Sequence, residues 1–202
     1  LTGADVAAST NWTGATNLDG DWQLELSTGT INVPQLFSET YAGILDVING
    51  TVGDDVLSGG AGDDTLIDFT TSDRDTFIGG LGDDFYEGVN QFDTVIEFSG
   101  EGNDTISTYG TYYVLPENVE NLKLSSSHYS TGYGNYLGNY ITSGSYSDLI
   151  YGMDGDDIIS GGGGGDLIYG GFGNDVIKAS YLSNPDRIFD QYFGDGGIDT
   201  ID

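Results

Sequence analysis

Large apolar residues recur along much of the chain at intervals of nine, each after a polar, glycine-rich stretch. In residues 59–67 (GGAGDDTLI) and 79–87 (GGLGDDFYE), six small or polar residues precede a short run around one large apolar residue. Glycine permits positive φ and close backbone approach, so positions 1–6 of each repeat predict a turn. Positions 7–9 predict a short strand that directs one side chain inwards. One repeat cannot bury that side chain, whereas stacked copies can.

Four copies fit the pattern G-G-x-G-x-D-x-U-x, where U is a large apolar residue: 59–67, 79–87, 161–169 and 170–178. Weaker copies keep the same register at 50–58, 88–96, 134–142, 143–151, 152–160 and 194–202. Two further copies, 68–78 and 97–107, are eleven residues long. The inward side chains predicted at position 8 are Leu57, Leu66, Phe77, Tyr86, Val95, Ile106, Ile150, Ile159, Ile168 and Ile177.

This organisation predicts an all-β fold: a parallel β-roll or β-helix solenoid of stacked nine-residue repeats, with two repeats in each turn. We predict one block of repeats at 49–107 and a second at 143–178. Between them, 108–142 is a spacer that contains YVLPENVENLKL and eroded repeats, and 179–202 is an irregular segment with a terminal degenerate repeat.

Residues 1–48 lack the repeat, so we expect a small N-terminal segment that caps the roll or forms the tail of an upstream domain. Alternating polarity over 21–26 (DWQLEL) predicts a strand there. Because the chain stops within a repeat, we expect it to be a piece of a larger protein. We find no transmembrane run and no signal peptide in it.

The charge of the chain restricts its partners. Its formal net charge is −29, with 33 acidic residues against four Lys and Arg, which excludes nucleic acid and disfavours an anionic membrane surface. A hydrophobic fraction of 37% is too high for a typical disordered acidic tail. There is no Cys for a disulfide or a thiolate metal site. A fold neutralised by cations agrees with all of these facts.

The Asp at position 6 is the candidate ligand. Alternate repeats stack on the same side of the roll, so each such Asp lies near its equivalent two repeats later. Pairs of carboxylates together with turn carbonyls make an all-oxygen site, which Ca²⁺ prefers and which suits Mg²⁺ less well. The predicted metal ligands are Asp55, Asp64, Asp75, Asp84, Asp93, Asp104, Asp148, Asp157, Asp166 and Asp175. Backbone carbonyl ligands are predicted at Gly60, Gly62, Gly80, Gly82, Gly162, Gly164, Gly171 and Gly173.

These positions give specific pairs. We expect Asp64 to share an ion with Asp84, and Asp84 with Asp104; the same applies to the pairs Asp148–Asp166 and Asp157–Asp175. Asp55, Asp75 and Asp93 form a second column, in which some turn glycines are missing. Asp199 has the right register without a later partner in the chain. For the acids at position 5 (Asp54, Asp63, Asp83 and Asp156) we favour turn capping over ligation, because Asn replaces Asp at 103 and 174.

The repeats resemble the RTX calcium-binding nonapeptides of secreted bacterial toxins, proteases, lipases and adhesins, of the haemolysin and serralysin type. The resemblance covers about half of the chain. The segment YVLPENVENLKL resembles the spacer between RTX blocks, and LTGADVAAST with GDWQLELSTG resembles the tail of an uncharacterised domain found upstream of such repeats. The resemblance implies several bound Ca²⁺ ions, export by a type I secretion system and folding outside the cell, in the extracellular space or at the cell surface.

Three functions follow. The first is a calcium-dependent folding and secretion module, or a surface spacer, without enzymatic activity. The second is an adhesin or glycan-binding module whose exposed tyrosines stack on sugars; packing against neighbouring strands is the simpler role for those rings. The third is a polysaccharide-active β-helix enzyme. The repeat already accounts for nearly every conspicuous Asp, and His128 has no evident partner in the sequence, so we assign no catalytic residue.

Overall fold

The computed structural model describes residues 45–178 and 190–202, and every regular element within them is a β-strand. The expected strand at 21–26 lies outside the described residues. The strands are β1 Val47–Asn49, β2 Val56–Ala61, β3 Thr65–Ile67, β4 Thr76–Leu81, β5 Phe85–Glu87, β6 Thr94–Ile96, β7 Thr105–Thr108, β8 Tyr112–Val114, β9 Asn121–Leu124, β10 Thr131–Tyr133, β11 Tyr140–Thr142, β12 Leu149–Asp154, β13 Ile158–Ser160, β14 Leu167–Phe172, β15 Val176–Lys178, β16 Gln191–Gly196 and β17 Thr200–Ile201.

Odd and even strands alternate between two sides of a parallel β-roll. The odd strands form one nine-stranded sheet in the order β1-β3-β5-β7-β9-β11-β13-β15-β17. The even strands form a three-stranded sheet, β2-β4-β6, and a five-stranded sheet, β8-β10-β12-β14-β16. Every pairing is parallel and joins strands two places apart in the chain, and the even side is interrupted between β6 and β8. The predicted solenoid with two repeats in each turn is therefore confirmed.

The inward side chains build a single core. All ten residues predicted at position 8 are buried, from Leu57 in β2 to Ile177 in β15. The spacer adds core residues that the repeat pattern did not identify: Tyr113, Leu115, Val119, Leu122, Leu124 and Ile141. Because the spacer supplies apolar side chains at the same depth, β8 to β11 continue the roll between the two blocks of repeats.

The length of a turn differs along the roll. In the first block Asp55 and Asp75 are 20 residues apart, as are Asp64 and Asp84. Asp75 and Asp93 are 18 apart, as are Asp148 and Asp166 in the second block. Each longer turn contains one of the eleven-residue copies, and the extra residues leave the strand register intact. After residue 189, β16 and β17 rejoin the two sheets, so the terminal repeat belongs to the roll. Within the described residues, no helix is long and apolar enough to cross a membrane.

Candidate metal centres

The position-6 side chains form hydrogen-bonded columns that follow the two sides of the roll. Each Asp stands directly before a strand, and each except Asp55 accepts a backbone hydrogen bond through Oδ1 from the equivalent residue one turn earlier. The amide of Asp64 donates to Asp84 at 2.7 Å, and the amide of Asp84 donates to Asp104 at 2.8 Å. One carboxylate oxygen of each residue thus ties two turns together, and the other oxygen remains for a second role.

All the expected pairs are adjacent in the structure. The amide of Asp148 donates to Asp166 at 2.8 Å, and the amide of Asp157 donates to Asp175 at 2.9 Å. The second column behaves in the same way, because the amide of Asp55 reaches Asp75 at 2.9 Å and the amide of Asp75 reaches Asp93 at 3.1 Å. The lost turn glycines therefore do not disrupt this column.

The columns are longer than the repeat pattern indicated. Asp46 donates its amide to Asp64, and Asp104 donates to Glu120, at 2.7 and 2.9 Å. At the far end, the amide of Asp166 donates to Asp190, and the amide of Asp175 donates to Asp199, each at 3.0 Å. Asp46, Glu120 and Asp190 stand directly before strands, and this position relative to a short β-prone run was the available signal for them.

The second oxygen of most position-6 carboxylates has no hydrogen-bond partner within the described part of the chain. These buried Oδ2 atoms belong to Asp64, Asp75, Asp84, Asp157, Asp166 and Asp175. Asp148 differs, because the hydroxyl of Ser143 donates to its Oδ2. A buried carboxylate oxygen without a donor is costly unless a cation or a proton neutralises it.

The first glycine of the repeat makes room for this oxygen. A Cβ built on Gly59 would overlap Oδ2 of Asp64, and the same holds for Gly161 with Asp166 and for Gly170 with Asp175. Glycine at position 1 therefore leaves a small space bounded by the backbone and by the carboxylate of its own repeat. A side chain there would fill the space that a cation needs.

The glycines at positions 2 and 4 shape the turn. All eight that were predicted as carbonyl ligands have positive φ, from 75° at Gly162 to 145° at Gly173. A Cβ on Gly80 would overlap the carbonyl of Gly60, and one on Gly82 would overlap the carbonyl of Gly62. These close approaches explain the glycines through the backbone alone, and ligation by their carbonyls stays a prediction.

The acids at position 5 have a different role. Each accepts a backbone hydrogen bond from the equivalent position one turn later: Asp63 from Asp83 at 2.9 Å, Asp83 from Asn103 at 2.8 Å and Asp156 from Asn174 at 2.8 Å. These side chains are exposed. These contacts link successive turns, a structural role that needs no metal, whereas the sequence predicts turn capping.

Two groups of three carboxylates bring in residues that the repeat pattern missed. One oxygen each from Asp84, Glu97 and Asp104 lies within 4.8 Å of the others, and the same holds for Asp55, Asp68 and Asp75. Asp68 and Glu97 begin the two eleven-residue copies, where the sequence showed only a missing glycine.

Burial favours the uncharged form of the carboxyl groups in these columns and so raises their pKa values. Burial raises the pKa of Asp84 to about 6 and the pKa values of Asp104, Asp157 and Asp166 to about 7. Burial, together with the charges of Asp104 and Asp84, raises the pKa of Glu97 to about 8. The folded chain therefore needs either protons or a cation at these positions near neutral pH.

The tyrosines at position 9 form an outward ladder. The rings of Tyr133, Tyr151, Tyr169 and Phe193 stack with centroids 4.8–4.9 Å apart and planes within 14° of parallel. The inner rings cover each other's faces, so a sugar has only their edges to contact. The ladder is thus better suited to holding turns together than to stacking on a glycan. His128, in turn, stacks on Tyr146 at 6.3 Å and bonds the hydroxyl of Ser127.

The donor set of the columns fits a hard divalent cation. It consists of carboxylate oxygens, several of them unpartnered, around a space that glycine keeps open. Four copies of one family model match the chain, at residues 45–67, 69–95, 133–168 and 142–177, and its description is the RTX calcium-binding nonapeptide repeat. Residues 1–45 match a domain of unknown function (DUF4347). Searches of the curated proteins and of the solved structures found no significant match.

Proposed function

Because the chain belongs to the RTX calcium-binding nonapeptide repeat family, with four matching copies between residues 45 and 177, we propose that it is a module that folds on Ca²⁺ in the extracellular space. In this role it serves as a secretion and folding segment, or as a stabilising spacer, of a larger secreted bacterial protein. The repeats are calcium-binding β-roll segments; the extracellular setting and the secretion role are the proposal.

The observation that carries this proposal is the set of buried carboxylate oxygens along both columns that have no hydrogen-bond partner in the described ranges 45–178 and 190–202. A cation between successive turns would neutralise the oxygens that the protein leaves without donors. The residues that would hold it are the ten position-6 Asp predicted from the sequence. Turn carbonyls would complete an all-oxygen site.

The charge of the chain supports coupling between folding and binding. With a net charge of −29 and stacked carboxylates, the metal-free roll is opposed by repulsion and by the cost of desolvation. Extracellular calcium modules bind with dissociation constants of about 10⁻⁴–10⁻³ M. A ligand at about 100 times its dissociation constant stabilises the folded state by roughly 2.7 kcal/mol for each site. Several sites together would supply a stability of the size typical of a domain, about 5–15 kcal/mol.

A far-UV circular dichroism titration of metal-free protein tests this function. We expect a cooperative gain of β-signal as Ca²⁺ rises through the sub-millimolar to millimolar range, and little gain with Mg²⁺ at the same concentrations. A full β-spectrum in EDTA that Ca²⁺ leaves unchanged would overturn the proposal. A glycan-binding or enzymatic role on a metal-independent roll would then have to be tested.

A further inference from the structure

The two eleven-residue turns replace the first glycine of the repeat with an acid. Ile67 pairs with Asn49, so Asp68 stacks on Gly50; Ile78 pairs with Ile96, so Glu97 stacks on Gly79. At these two places the space that glycine leaves open in a regular repeat receives a carboxylate from the neighbouring turn. A Cβ on Gly50 would overlap Oδ2 of Asp68, and one on Gly79 would approach both Asp84 and Glu97.

Glu97 lies between two successive Asp of the nine-stranded side. Its carboxylate, with those of Asp84 and Asp104, forms a group whose oxygens lie within 4.8 Å of each other. Asp84 and Asp104 are each 1% exposed and Glu97 is 6% exposed. The hydroxyl of Tyr86 donates to Oε1 of Glu97, whereas Oε2 of Glu97 and Oδ2 of Asp84 are buried without a partner in the described structure.

Asp68 repeats this arrangement on the other side of the roll. It groups with Asp55 and Asp75 within the same 4.8 Å limit. Its Oδ1 accepts hydrogen bonds from the amide and hydroxyl of Thr70, at 2.6 and 2.7 Å. Its Oδ2 is buried and unpartnered among the described residues, as is that of Asp75. In both turns a neighbour holds one oxygen of the additional acid, and the other oxygen is buried without a hydrogen-bond partner among the described residues.

We propose that Asp68 and Glu97 are third carboxylate ligands, and that they create two calcium sites in residues 45–107 that bind more tightly than the sites of the second block. This inference rests on the proposed function, since it concerns the same cation. A third carboxylate adds one more negative charge at short range, and affinity for Ca²⁺ rises with the number of charged ligands. In residues 152–178 the corresponding first positions are glycines, so those sites have only paired Asp. The first block therefore loads with Ca²⁺ before the second.

Calorimetric titration of Ca²⁺ into the full chain and into Glu97→Gln tests the inference. The substitution keeps the size of the side chain and removes its charge. Because the Asp68 site is unchanged, we expect the tightest phase to lose one of its two ions, whose affinity falls on the order of tenfold or more. Glu117→Gln, at an exposed acid of the spacer, makes the same charge change and should leave that phase unaltered. A tight phase in Glu97→Gln that still binds both ions, at an affinity equal to or greater than that of the unsubstituted chain, would overturn the inference, because Glu97 would then act as a protonated side chain that fills the site.

Terbium luminescence gives an independent readout if Glu97→Gln folds poorly. Tb³⁺ takes oxygen ligands as Ca²⁺ does, and its higher charge favours the site with the most carboxylates. Tyr86, whose hydroxyl contacts Glu97, should sensitise the first equivalent of Tb³⁺. We expect Tyr86→Phe to lose most of this emission and Tyr112→Phe, at an exposed ring of β8, to keep it. Equal emission from both variants would place the first ion elsewhere and contradict the inference.

These outcomes separate the inference from the proposed function. If the unsubstituted chain gains no structure with Ca²⁺, the proposed function fails. If it gains structure and Glu97→Gln titrates identically, only the role of the third carboxylate fails.

Discussion

The repeats and the spacer place different side chains at one register of the same roll. Asp157 precedes β13 and Asn139 precedes β11, and both are buried in adjacent turns of the nine-stranded sheet. The amide of Asn139 donates to Asn135 at 3.1 Å, to the carbonyl of Glu120 at 3.2 Å and to that of Val119 at 3.3 Å. Its Oδ1 accepts the backbone N–H of Asn135 at 2.8 Å. Oδ2 of Asp157, in contrast, has no hydrogen-bond partner among the residues that the structure describes.

This difference shows that the fold has two ways to close a turn. In the spacer, an amide supplies donors and an acceptor, so the chain satisfies its own polar groups. In the repeats, a carboxylate offers only acceptors and needs a cation or a proton. If the proposed function holds, dependence on calcium is a property of particular turns, and exchanging the side chains between the two regions should move it.

A change of pH should have the largest effect, because it acts on all repeat turns together and leaves the amides of the spacer unchanged. Burial raises the pKa of Asp84 to about 6 and those of Asp157 and Asp166 to about 7, from 3.8. In metal-free protein the stabilisation from these protonated groups is complete below about pH 4 and is lost as pH rises through about 7. We expect cation-stripped protein to have more β-signal at pH 4.5 than at pH 7.5.

Calcium should reverse this order, because its ligands must be deprotonated. At saturating Ca²⁺ we expect the higher thermal midpoint at pH 7.5, measured by circular dichroism. The same order of stability at the two pH values with and without Ca²⁺ would contradict the assignment of the buried carboxyls.

Asp166→Asn should have the next largest effect. It gives one repeat turn a side-chain amide, as the spacer has at Asn139, in place of a carboxylate. At saturating Ca²⁺ we expect a loss on the order of 2–3 kcal/mol, since one well-occupied site disappears. In EDTA the sign should reverse, because the substitution removes a buried charge. Urea unfolding under both conditions measures the two changes.

Asp156→Asn is the matched control for that variant. It makes the same substitution at an exposed position-5 acid that holds the amide of Asn174. If Asp156→Asn also lowered stability in Ca²⁺ and raised it in EDTA, positions 5 and 6 would not differ in their dependence on calcium. The same conclusion would follow if Asp166→Asn showed no such reversal.

Asn139→Asp makes the opposite exchange, with a smaller expected effect. The substitution removes the donors to the carbonyls of Val119 and Glu120 and adds a buried charge. We expect a loss of about 1–3 kcal/mol in EDTA, which Ca²⁺ partly restores because Asp157 then has an acidic neighbour on each side. Urea unfolding with and without Ca²⁺ gives both values. A loss of the same size under both conditions would show that this register alone does not confer calcium dependence.

Met153→Gly should have the smallest effect and tests a part of repeat stability that is independent of ligands. Met153 stands at the second-glycine position with φ 86°, opposite Gly171 in the next turn. Relief of this backbone strain should stabilise the protein by about 1 kcal/mol, measured by thermal unfolding at saturating Ca²⁺. Met153→Ala keeps the Cβ and should gain little. Equal gains in the two variants would point to the side chain of Met153 as the cause.

The sequence was sufficient for the fold because the repeat encodes it locally. Position 8 predicted the buried residues of the blocks, and position 6 predicted which Asp stand next to each other. The roles of Asp68 and Glu97 could not be predicted in this way. Both begin eleven-residue copies, and their roles depend on which residue of the neighbouring turn each one stacks on. Asn139 was similarly hidden, since its partners are carbonyls 19 and 20 residues earlier in a segment without the motif.

The uninterrupted nine-stranded sheet has a mechanical consequence. Its strands are stacked along the axis of the roll, about 4.8 Å apart, so tension applied to the two ends loads the hydrogen bonds between turns in series. Turns would then detach one at a time from an end. Each 18-residue turn that detaches releases about 60 Å of extended chain. Under load the roll would behave as an extensible tether whose yield force depends on the occupancy of the proposed calcium sites.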